Sequence, residues 1–207
     1  NIDYGVSHVD IAEGALQQQH DLVSRMRELA VQSGSDTLNE TDRSAIQAEF
    51  TQLQAEVGRI AETTEFNGNA LLKGGETELQ IGTGNGVEDR LAVPTPDSGI
   101  AALGLDVVDL STAASARDAL DSFDAASDVL SQSRASIGAT RNRLEGALDS
   151  NAVTMENIAA AASRIEDADI ARETSELALG RARGEIANRL SKHEAGLSAG
   201  LLVDLIA

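Results

Sequence analysis

Arg25-Met-Arg-Glu-Leu-Ala-Val-Gln32 lies in a run where Ile2, Val9, Leu16, Val23 and Ala30 recur at every seventh position. Ala15, Leu22 and Leu29 flank that stripe, and Ala12 and Met26 complete it, with polar residues on the remaining faces. The pattern predicts a helix over about 3–33 with a heptad seam. Toward the other end, Ser163-Arg-Ile-Glu-Asp-Ala-Asp-Ile-Ala171 sits in a register of the same period. Phe123, Leu130, Ile137, Leu144, Ile158 and Ile165 share it, and it continues through Leu179 and Ile186, with Asn151 and Arg172 as interruptions. A helix over about 113–180 would be on the order of 100 Å long. Such an element does not fold back into a globule, so the earlier helices must pack along it. The expected fold is mainly α: an elongated, rod-like antiparallel bundle with coiled-coil-like heptads.

Between these ends, Ser33-Gly34-Ser35-Asp36 has a loop composition. A second helix is expected over about 41–65, capped by Asn39 or Thr41, with Ile46, Phe50, Leu53, Val57 and Ile60 at alternating spacings of four and three. It ends before Phe66-Asn67-Gly68, where Asn-Gly marks a turn. Residues 69–110 change character. Leu79-Gln-Ile81 and Arg90-Leu-Ala-Val93, separated by Gly82-Thr-Gly-Asn-Gly86, predict a small β-hairpin region. Both prolines, Pro94 and Pro96, fall inside this stretch. The domain reading is therefore a core rod over 1–180 and an amphipathic tail over 181–207, whose stripe is Ile186, Leu190, Leu197, Leu201 and Leu205.

The 207-residue chain carries a formal net charge of −18, which opposes binding to a phosphate backbone. With no cysteine, neither disulfides nor thiolate metal sites are possible. No long apolar run predicts a membrane span, and Asn1-Ile-Asp-Tyr-Gly5 has none of the features of a signal peptide. The absence of an initiator methionine suggests a fragment or a processed form. Aromatic residues make up 2%, which suits a thin aliphatic seam better than a thick core.

The chain offers little for catalysis. His8, His20 and His193 are isolated and read as solvated helix-surface residues. Glu166, Asp167 and Asp169 lack the loop and glycine of a calcium site. Gly82-x-Gly-x-Gly86 lacks the lysine and helix of a phosphate loop, so a hairpin turn is the expected reading. Ser131, Ser133 and Ser136 have no base at a suitable spacing. No enzymatic activity, metal or cofactor is expected.

Several blocks, in order, resemble bacterial flagellin, the subunit of the flagellar filament. They are Ala12-Glu-Gly-Ala-Leu16, Arg25 to Gln32, Thr41 to Glu49, Thr63 to Gly68 with Leu71-Leu72, Arg134 to Ala139 with Asn142-Arg-Leu144, and Ser163 to Ala171. The resemblance implies a short form without large outer domains, lacking the family's further N-terminal segment. It implies a self-assembling structural subunit for motility, outside the cell, exported by the flagellar type III apparatus. Implied partners are other flagellin subunits, an export chaperone at the C-terminal tail, and the flagellin-sensing Toll-like receptor of vertebrates. Carried over from the family, Arg25, Leu29 and Glu49 would serve receptor binding and subunit packing, with Ser24 where many activating members have Gln. Ile186, Leu190, Leu197, Leu201 and Leu205 would serve the chaperone or assembly. The hook–filament junction protein, a relative of similar helical build, is the alternative.

Overall fold

The structure, a computed structural model, describes residues 1–206, with side chains through Lys192. It divides into two compact units, with the boundary in the chain after Ser150. The elements in chain order are α1 (Ile2–Ser33), α2 (Glu40–Thr63), β1 (Glu65–Phe66), β2 (Asn69–Ala70), β3 (Glu76–Gln80), β4 (Arg90–Pro94) and α3 (Ala113–Ile206). The expected 1–180 core range thus includes parts of both units.

In the first unit, α1 and α2 form an antiparallel pair. Arg25 meets Glu49, Gln19 meets Val57, and Arg43 reaches back to the carbonyl oxygens of Ser33 and Ser35. The start of α3 runs antiparallel to α1 in the same way. Arg27 pairs with Asp124, His20 with Ser127, Glu13 with Arg134 and Asp10 with Arg141. From Arg27 to Asp10 on α1 is 17 residues, and from Asp124 to Arg141 on α3 is 17 residues in the opposite sense, as antiparallel packing of heptad seams requires.

The seams named from periodicity are the core. Ile2, Val9, Leu16, Val23, Met26 and Ala30 are buried on α1, Ile46, Phe50, Val57 and Ile60 on α2, and Phe123, Leu130, Ile137 and Leu144 on α3. Phe50 and Phe123 meet edge to face with ring centroids 5.9 Å apart. Burying one such side chain stabilises the fold by about 1.5–3 kcal/mol, so the seams, not the surface ion pairs, hold the unit together. α2 starts with a capping box: Asn39 Oδ1 accepts from the Asp42 N–H at 2.9 Å, and Asp42 accepts in return from the Asn39 N–H.

Two short antiparallel sheets follow α2. β1 and β2 close around Asn67 and Gly68, both at positive φ (52° and 80°), the combination that a two-residue hairpin turn needs. β3 and β4 pair from Glu76↔Pro94 to Gln80↔Arg90. The irregular segment from β4 to α3 also belongs to the core, through Leu103, Leu105 and Leu110.

His8 is a correction to the sequence reading. It is only 6% exposed, and its ring lies edge-on to Phe66 with centroids 6.3 Å apart. The β1–β2 turn folds Phe66 back over the start of α1, which turns a position that looked like helix surface into an interior one. His20 is half-buried and shares a hydrogen bond with Ser127. His193 lies outside the described side chains.

In the second unit, α3 continues with its side chains exposed through Lys192. Among the described residues, no helix is long and apolar enough to cross a membrane.

Candidate functional site

Two surfaces carry the residues that the sequence singled out. The first is the α1–α2 face. The heptad seam turns Met26, Leu29 and Ala30 inward and leaves Ser24, Arg25, Arg27 and Glu28 outside. Arg25 then bridges the two helices: its Nη2 lies 3.0 Å and its Nε 3.2 Å from Glu49 Oε1, while its Nη1 lies 2.9 Å from Glu28 Oε2. Hydrogen bonds to Glu28 and Glu49 raise the Arg25 pKa above its ordinary value, so the guanidinium stays charged at any relevant pH. Arg27 points to the other neighbour, with Nε 2.6 Å from Asp124 Oδ1, and this contact holds the Asp124 carboxyl below its usual range. The structure therefore brings Arg25 and Glu49 together. Leu29 is 1% exposed and lies in the core beneath them.

Sequence reasoning missed the residue that ties this unit to its loop. Gln19 is fully buried, and its Nε2 donates to Val57 O on α2 at 3.0 Å and to Ser98 O in the β4–α3 connection at 3.2 Å. A lone polar residue inside an otherwise apolar stripe was the available signal.

The second surface is the distal part of α3. Ile158, Ile165, Leu179, Ile186 and Leu190 are all exposed, as are Val153, Met155, Ile170 and Leu177. Leu197, Leu201 and Leu205 lie outside the described side chains. Glu166, Asp167 and Asp169 are exposed, and no metal-holding cluster of acidic, histidine or cysteine residues occurs among the described residues. Of the acceptors on this face, Glu176 takes an i,i+4 contact from Arg172 at 3.4 Å.

Comparison with known proteins agrees with this geometry. The model of the bacterial flagellin N-terminal helical region matches residues 1–77, and that of the C-terminal helical region matches residues 120–192. The flagellin of Halalkalibacterium halodurans is 38% identical over 85% of this chain and 65% of its own length. That of Bacillus subtilis is 35% identical over 85% of this chain and 69% of its own. The chain thus spans about two thirds of the length of these relatives. The crystal structure of Bacillus cereus flagellin superposes with a TM-score of 0.65 at 28% identity, covering 72% of this chain and 87% of that one. With both terminal helical regions matched and the antiparallel seams in place, the chain belongs to the bacterial flagellins, a family of filament-forming structural proteins.

Proposed function

We propose that this chain is a non-catalytic subunit of an extracellular flagellar filament, built by lateral and axial packing of its helices. One observation carries the reading. A single heptad register on α3 is buried at Phe123, Leu130, Ile137 and Leu144, yet exposed at Ile158, Ile165, Leu179 and Ile186. An apolar stripe of that length on a protein surface marks an interaction face. Head-to-tail contacts between identical subunits propagate into a helical polymer. Names such as flagellar filament core protein among the relatives favour the filament over the hook–filament junction.

In this reading, residues 181–207 form the tail of the innermost filament layer. Before assembly, an export chaperone covers Ile186, Leu190, Leu197, Leu201 and Leu205 during passage through the type III apparatus. Arg25 and Glu49 form a preset charged pair that a vertebrate Toll-like receptor would contact, while Leu29 packs beneath them to fix the helix. Arg25→Ala is then expected to weaken receptor binding without unfolding the chain, as read by surface binding and circular dichroism side by side.

The assembly test is sedimentation of the purified chain over a salt series, with electron microscopy of the pellet. Sedimenting filaments that increase with salt are expected. A chain that remains monomeric at every salt concentration contradicts the reading.

A further inference from the structure

We propose that Asn85–Gly86, in the β3–β4 turn, is a self-modifying site: the turn itself drives cyclisation of Asn85 onto the Gly86 nitrogen, converting the asparagine to an acid. The glycines of Gly82-Thr-Gly-Asn-Gly86 bring this about. A Cβ on Gly82 or Gly84 would collide with the Asp89 carboxylate, so only glycines let the loop close on that group. The half-buried Asp89 is thereby held so that its Oδ2 accepts from the Gly86 N–H at 3.1 Å. At the Asn85 side-chain amide, Arg90 Nη2 donates to Oδ1 at 3.0 Å.

These two contacts supply the proton acceptor and the oxyanion partner of an intramolecular acyl transfer. The Gly86 nitrogen is the nucleophile, and its proton rests on a carboxylate that can take it as the bond forms. The Asn85 Cγ is the electrophile, and a guanidinium sits on the oxygen where negative charge develops. The Gly86 N–Cγ bond forms and the Cγ–Nδ2 bond breaks. The proton from Gly86 passes by way of Asp89 to the departing nitrogen, which leaves as ammonia. Solvent water then opens the five-membered imide at either carbonyl, giving aspartate or isoaspartate. No oxidant or cofactor enters. Because residue 86 is glycine, no side chain hinders the attack. The product carboxylate would lie beside Arg90, which favours the forward direction.

The chain contains its own control. Asn67–Gly68 has the same dipeptide, is also exposed, and closes the β1–β2 turn, but among the described contacts it has neither a carboxylate on the glycine N–H nor a cation on the asparagine oxygen. The experiment is to incubate the purified full chain near neutral pH and follow both peptides by mass spectrometry, reading the change from amide to acid, in the folded state and in strong denaturant. In the folded chain Asn85 is expected to convert about a hundredfold or more faster than Asn67 and than itself in denaturant, the low end of what general acid–base assistance supplies. In denaturant the two sites should converge. Asp89→Asn and Arg90→Gln should each bring the folded rate down toward the denatured one. A folded Asn85 that converts no faster than the denatured chain overturns the proposal, whatever the variants do. This outcome is independent of whether the chain polymerises.

Discussion

At the scale of single residues, two of the buried polar groups, Gln19 and His8, have opposite consequences. Gln19 is a cross-link: its amide joins α1 to α2 and to the loop at Ser98. Gln19→Leu keeps the volume but leaves the Ser98 carbonyl without that donor, at a cost of about 2 kcal/mol. Urea unfolding should show the loss as a lower midpoint, and an unchanged midpoint would mean that the amide does not secure the loop. His8 is a liability in acid. Burial pushes its pKa below the ordinary 6.5, and none of Tyr4, Phe66, Asn67, Asn69, Thr77, Leu79 and Val93, which line the adjoining cleft, carries a carboxylate. Asp3 and Asp10 on α1, Glu65 on β1 and Glu76 and Glu78 on β3 are all exposed, and Arg90 on β4 is exposed and turned to Glu78 at 3.5 Å. The unfolded chain then takes up the proton at a higher pH than the folded one. Stability attributable to this site is therefore full above about pH 6.5 and falls as the pH drops from there through the folded value. Melting temperatures of the wild type and His8→Gln should diverge in their slope over that window, with the variant flatter. Parallel slopes would assign the acid sensitivity to the carboxylates instead.

At the scale of elements, two helical glycines differ in what surrounds them. Gly138 in α3 has open space where a Cβ would go, whereas a Cβ on Gly5 in α1 would collide with Leu79 of β3 and press on Leu144 of α3. Gly138→Ala should therefore stabilise the chain by up to about 1 kcal/mol. Gly5→Ala should destabilise it, because β3 must move off the helix. Thermal melts of the two variants should shift in opposite directions, and a shift in the same direction would show that the β3–α1 approach yields freely. The elements also show where sequence reading succeeds. The seams on α1 and α2 were legible because a heptad needs only apolar spacing, and the Asn67-Gly68 turn because few residues accept positive φ. Leu103, Leu105 and Leu110 were not legible, since an irregular segment has no period to betray its buried side. His8 was misread because burial there comes from Phe66, distant in sequence. The Arg25–Glu49 pair was nameable only through family resemblance, since spacing along one helix says nothing about charge across two.

At the scale of the whole molecule, the balance is between one apolar stripe and a net charge of −18. The stripe at Ile158, Ile165, Leu179 and Ile186 favours association through removal of apolar surface from water, a term that salt does not screen. The charge opposes it, through repulsion that decays over about 10 Å at 0.1 M salt and faster above that. Assembly should therefore begin only above a threshold salt concentration, set by the charge, and should vanish at any salt if the stripe is broken. Ile158→Asp with Ile165→Asp tests both halves. These positions are exposed in the single chain, so the double variant should leave the unfolding of the first unit unchanged while abolishing sedimentation. Reversing charge at an exposed polar position away from the stripe, such as Asp118→Lys, should instead lower the salt threshold and leave the polymer intact. If the double aspartate variant still sediments with the wild-type salt profile, the exposed stripe is not the assembly face and subunit contacts must be sought on the α1–α2 side.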